Sequence, residues 1–184
     1  ETDFVVSDAV MADIIENRTG TIGKVDVNNV QTDKYEFCKS IAEKADDYEV
    51  VTDDLVLFTE KQEQSCAHLP FVKKIKKDVP DILDRILFYD ICRDNFEKDG
   101  ERNSDIATTM RDIFSNIGQR ILTKKAIMDK EHTLIRLGLV ELVDDDEIML
   151  TDDGKEYFYD EDIQAFCKPM KCVDIYAFIE KVYD

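Results

Sequence analysis

The run Gly20-Thr21-Ile22-Gly23-Lys24-Val25 holds the residue types of a phosphate-cradling loop, which needs glycines for backbone approach and a lysine for the charge. Its spacing does not fit. Two residues separate the glycines instead of four, and Val25 stands where a Ser or Thr would hold magnesium. A plain turn is the expectation, with neither nucleotide nor any other cofactor bound by these residues. Metal ligation is no better supported. Cys167 and Cys172 lie five apart with Pro169 between them, no second cysteine pair follows, and the two histidines, His68 and His132, sit in other segments. Asp99-Gly100 lacks the bidentate Glu of a calcium loop, and Asp144 to Glu147 reads as a solvated hairpin tip. Nucleophilic catalysis needs a base beside a Ser or Cys and a group to orient it. Neither histidine accompanies a Gly-flanked Ser or a distinctive Cys, so the chain is not expected to be an enzyme.

The residues most able to bind something are basic. Across 119–137 the sequence places Arg120, Lys124, Lys125, Lys130 and Arg136 against Asp129 and Glu131, the pattern of a helix that could face phosphates. Arg120, Lys124, Lys125 and Arg136 are therefore the candidate face for a nucleic acid or a protein partner. The acidic run Asp144 to Glu147 would repel a DNA backbone, so a protein contact is preferred over DNA. The whole chain leans the same way. Its 24 basic and 42 acidic residues give −18, with 10 against 17 up to Asp78 and 14 against 25 beyond it. Such a field repels nucleic acid and anionic membranes.

Length and composition bound the frame for this face. With 184 residues and 43% apolar content, the chain can bury one ordinary core or two small ones, and two are expected. Five scattered cysteines suggest no disulfide framework, so reduced thiols in the cytoplasm are the expectation. No apolar run approaches the roughly 20 residues that span a bilayer, and the first residues carry no signal-peptide pattern.

A coarse reading gives a mostly α chain with a small β element. Residues 1–33 combine a helical patch at Val10 to Ile15 with the Gly20 turn and a short β-like run. Asp33 and Glu36 resemble a capping box for a helix over about 34–46, with Cys38, Ile41, Ala42 and Ala45 inward. Val50 to Phe58 is ambiguous, and a helix from a Thr52-Asp53 cap to about Gln64 is preferred over a strand. Leu69-Pro70 opens a short piece with four lysines, Lys73, Lys74, Lys76 and Lys77. Pro80 then starts a helix with Ile82, Leu83, Ile86, Leu87 and Ile91 on an apolar stripe. Asn103 or Ser104 caps the next, with Ile106, Met110, Ile113, Phe114 and Ile117 inward and Gly118 as the stop. A third helix carries Ile121, Leu122, Ile127, Leu134 and Leu137 and ends at Gly138. A two-stranded hairpin over Leu139–Leu142 and Ile148–Leu150 follows, and then a helix with Tyr157 and Phe158. A terminal helix beyond Pro169 has Cys172, Ile175, Tyr176, Ile179, Val182 and Tyr183 on one face.

Helix, hairpin and helix in that order is how a winged helix-turn-helix ends. The expected organisation is a mainly helical N-terminal subdomain at 1–78, a winged-helix domain at 79–160 with a two-stranded wing, and a C-terminal linker helix at 161–184 leading to a missing module. Ile86, Ile91, Ile113, Phe114, Ile121, Leu134, Leu137 and Leu150 should share one core.

Within this frame Leu87-Phe88-Tyr89-Asp90-Ile91-Cys92-Arg93, Asp112-Ile113-Phe114, Leu134 to Leu142 and Leu150-Thr151 follow one another. The order resembles the winged-helix region that precedes the ATPase module in some bacterial AAA-family ATPases, over roughly 70 residues. The resemblance implies a non-catalytic front segment that recognises a protein client or positions an attached ATPase module. The Walker motifs, sensors and arginine finger of that family have no counterpart here, so no active-site residue carries over. The competing expectation is a winged-helix transcriptional regulator that reads DNA.

Overall fold

A computed structural model describes residues 33–47, 49–97, 103–144 and 146–163, all within the compact unit that begins at Asp33. The expectations for Val10 to Ile15, Gly20 to Val25, Asp99-Gly100, Cys167, Cys172 and the terminal helix lie outside the described residues.

The described chain is mostly helical with a small antiparallel sheet. Helix α1, Lys34–Ala45, starts where Asp33 accepts hydrogen bonds from the Tyr35 and Glu36 amides, as the capping signal predicts. Helix α2, Thr52–Ser65, settles the ambiguous run as helix. Its cap is Val51, however, and the Thr52 hydroxyl turns away to the Ile113 carbonyl and the Ser115 amide. Helix α3, Pro70–Asp78, begins on proline, whose missing N–H is no loss in a first turn. Helix α4, Ile82–Phe96, is capped by Asp81, so Pro80 precedes the helix instead of starting it.

The spacing in α4 predicts an apolar stripe, yet Arg85 through Cys92 are all buried. The helix packs with α1, α2 and elements on its C-terminal side, which cover its whole circumference. Its buried Arg85 and Asp90 are paired inside. Arg85 pairs with Glu63 of α2, and Asp90 pairs with Arg93.

Beyond α4 come strand β1 (Ser104–Asp105), helix α5 (Ile106–Ile113), helix α6 (Ile117–Met128), the single turn α7 (Thr133–Arg136), strand β2 (Val140–Asp144), strand β3 (Glu147–Leu150) and helix α8 (Asp152–Tyr159), closed by a 3-10 turn at Asp160–Asp162. Here the sequence reading needs four corrections. The sheet has three strands in the order β1-β3-β2, not two, because Ser104 and Asp105 pair with Ile148 and Glu147. Asp105 caps α5, since its carboxylate accepts from the Thr108 amide. Gly118 is no stop, because the chain breaks at Phe114 and Asn116 recaps α6. The third helix is really two, separated at Asp129 to His132.

That last break has a clear cause. The Lys130 amide bonds the Ile127 carbonyl and the Glu131 amide bonds the Ala126 carbonyl, the paired bonds of a Schellman cap, with Lys130 at φ 59°. The same arrangement ends α7, where Gly138 at φ 71° fills the left-handed position as predicted. The two caps turn the chain so that Ile127 and Leu134 face inward, whereas Ile121 and Leu137 are exposed instead of joining the core.

One core runs from Phe37 in α1 to Tyr159 in α8, with residues on both sides of Asp78 contributing to it. Phe114, Ile148 and Leu150 belong to it, and Phe37 meets Tyr89 edge to face at 5.0 Å. Helix α8 is pinned by the Tyr159 hydroxyl, which donates to Asn95 at 2.6 Å. No described helix is long and apolar enough to cross a membrane.

Candidate interaction surface

Helix α6 carries three of the four basic candidates. It starts because Asn116 accepts from the Gln119 amide at 3.2 Å, and it packs on α5 through its buried side, led by Ile127. At 100° per residue, Ile117, Met128 and Ile121 fall in one arc about 100° round the helix from Ile127, with Lys124 at one edge of it and Lys125 and then Leu122 beyond the other. That arc is apolar and open. Ile117 is 68% exposed, Ile121 62% and Leu122 70%.

The candidate cations are not all available. The Arg120 Nε donates to the Phe114 carbonyl, which folds the half-buried guanidinium back over the turn between α5 and α6. Lys124 Nζ lies 3.3 Å from Asp146 at the base of the hairpin tip. Lys125 and Arg136 are exposed and have no ion-pair partner among the described residues. Only those two are thus placed to meet an outside anion without first giving up a contact. The tip is also less purely solvated than the sequence suggests, because the Asp146 carbonyl accepts from the Ile106 amide and the Glu147 carboxylate from Asn103.

Beside the arc runs an open groove whose walls include Val51, Thr52 and Asp53 of α2 and Gly118, Gln119 and Leu122 of α6. The Thr52 hydroxyl ties the walls together through Ile113 and Ser115. In the sequence Thr52 reads as a cap, and its distance in the chain from Ser115 hides this role.

The remaining polar clusters are structural in geometry. Glu63 Oε1 accepts from Arg85 Nε at 2.6 Å and from the Tyr89 hydroxyl at 3.0 Å, while Oε2 accepts from Arg85 Nη2 at 3.1 Å and faces Lys76 Nζ at 2.9 Å. Burial alone would raise this carboxyl, but hydrogen bonds from Arg85 and Lys76 outweigh it and hold the group below the ordinary glutamate range. A carboxylate so fully engaged is a poor base. His132 is buried, caps α7 with Nδ1 accepting from the Leu134 amide, and places Nε2 3.1 Å from Asp84. No nucleophile completes the pair in the described contacts. His68 is exposed, and no described group of three or more His, Cys, Asp or Glu residues is arranged to hold a metal ion. Cys38, Cys66 and Cys92 are free and buried. A further cleft, lined by Tyr35, Leu69, Phe71, Tyr157 and Phe158, sits where the described residues begin and end, with Lys74 stacked 3.8 Å over the Tyr157 ring.

No protein family, characterised protein or solved structure matches the chain. The likeness to the front region of AAA-family ATPases therefore rests on the sequence phrases from Leu87 to Thr151 alone.

Proposed function

We propose that this chain is a winged-helix binding module, a non-catalytic adaptor that recognises a protein partner or positions an attached ATPase module of the AAA family, acting in the cytoplasm. The element order from α4 through β1, α5, α6, β2 and β3 supports the winged-helix reading, with β1 closing the sheet against the hairpin. The observation that carries the function is the outward arc of α6. In a DNA reader that helix would present polar and basic side chains to base edges and phosphates. Here it presents Ile117, Ile121 and Leu122. Exposed apolar residues gathered on one helix face are characteristic of protein contact.

The alternative, a DNA-binding regulator using Arg120, Lys124, Lys125 and Arg136, is weakened by the internal contacts of Arg120 and Lys124. A photo-crosslinking amino acid placed at Ile121 in cells that make the protein separates the two. A discrete protein adduct, not seen with the crosslinker at exposed Glu60 of α2, is expected. A nucleic-acid adduct, or none at all, overturns the adaptor reading.

A further inference from the structure

We propose that the α6 face receives an acidic amphipathic helix of a partner protein, seated with its apolar side on Ile117, Ile121 and Leu122 and its carboxylates along Lys124 and Lys125. The inference rests on the binding-module reading and names the chemistry of the partner.

The shape argues for a helix. Ile117 and Met128 lie 11 residues apart, which at 1.5 Å per residue makes the apolar arc about 16 Å long, the length of three helical turns. The groove lies beyond Leu122 and has Val51 on its other wall, so an apolar ridge seated over Leu122 meets protein on two sides. Helix-in-groove recognition uses anchors at i, i+3 or i+4, and i+7, which suits an arc of this length.

Charge selects the kind of helix. Within Ile117–Met128 there are three cations and no acid, in a chain where acids outnumber bases 42 to 24. Lys125 stands without an ion-pair partner among the described residues, and Lys124 pairs with Asp146, whose side chain is 74% exposed and readily exchanged for another carboxylate, while also feeling the charge of Asp105. Asp53 on the opposite wall of the groove would repel a carboxylate. Lys124 lies at one edge of the arc formed by Ile117, Met128 and Ile121 and Lys125 at the other, so the partner's apolar ridge must carry carboxylates on both flanks, away from Asp53. A second copy of this chain is a poorer occupant, because two bodies of charge −18 repel one another.

The test is a display selection of random 18-residue peptides against the whole chain, with counter-selection against its Ile121→Glu, Leu122→Glu variant. Both positions are exposed, so the variant should keep the far-UV spectrum and Tm of the parent, and these are measured first. Enriched peptides should share helically spaced apolar anchors with acidic flanks. Their affinity should fall about tenfold or more in Lys124→Glu, Lys125→Glu and weaken as salt rises. Enrichment of basic or uncharged peptides that still require Ile121 and Leu122 overturns the acidic-helix inference and leaves the adaptor reading standing. Sedimentation that shows self-association lost in the Ile121 variant overturns it in favour of a second copy. If no peptide depends on the face and the crosslinker at Ile121 captures nucleic acid, the adaptor reading itself fails.

Discussion

Glu63 of α2 and Arg85 of α4 form a buried two-pronged ion pair that joins a helix on one side of Pro80 to the helix on the other. Neither side chain retains appreciable contact with water, and the two Nη1 N–H groups donate to the Val79 and Pro80 carbonyls. The pair thus also sets the bend between α3 and α4.

Removing one partner strands the other as a buried charge. Arg85→Ala should cost about 3–5 kcal/mol in urea unfolding, whereas Glu63→Leu combined with Arg85→Met should recover much of that loss. Lys76, whose side chain is 44% exposed, should matter far less. A loss below about 1 kcal/mol in Arg85→Ala would show that the pair contributes no more than a surface bridge.

Asp90 gives stability an unusual pH dependence. Burial pushes its carboxyl up to about 6 despite the pull of Arg93. In the unfolded chain the group titrates near about 3.9. Between those values the folded state holds a proton that the unfolded state has lost, so stability should rise as pH falls from about 6 to 4, by at most about 1.4 kcal/mol per unit. Glu63 acts oppositely, because its lowered value gives stability that is lost as pH falls below the glutamate range. Urea midpoints should therefore peak at mildly acidic pH, and Asp90→Asn should flatten the rise. An unchanged slope in that variant refutes the assignment.

Gly154 admits no side chain. A Cβ there would stand 1.9 Å from the Leu139 carbonyl oxygen, where the first turn of α8 crosses the start of β2. Because the obstacle is backbone, the strands or the helix must shift, and Gly154→Ala should destabilise by about 1–3 kcal/mol or more. Equal thermal midpoints for parent and variant would mean that α8 can slide freely.

Helix locations were legible where a cap or proline marked them. Asp33 and Pro70 announce α1 and α3, and Gly138 announces the turn into the hairpin. The break between α6 and α7 was not legible, since its left-handed position is filled by Lys130 and no glycine betrays it. A single helix through that break places Ile121 and Leu137 in the core, and both are exposed. The burial of α4 on all sides was equally hidden, because the charges of Arg85 and Asp90 made it read as a half-exposed stripe. The basic candidates were placed on the right helix, but the engagement of Arg120 depends on the bend at Phe114, which no local signal records.

The same residue supplies a stability prediction. A lysine held at φ 59° bears a steric cost that glycine lacks, so Lys130→Gly should raise stability by up to about 1 kcal/mol with the fold unchanged. A lower urea midpoint would show that the side chain of Lys130 contributes more than its backbone position costs.

The enclosure of α4 governs how the molecule can breathe. Its neighbours come from both before and after Asp78, so no peripheral opening uncovers it alone. Amide hydrogens from Ile86 to Cys92 are expected to exchange with solvent only when the described elements that precede and follow α4 separate together. The outer face of α6 carries no such obligation. A partner can seize or release that face while the enclosed backbone of α4 remains closed, and recognition at α6 is thereby uncoupled from global unfolding.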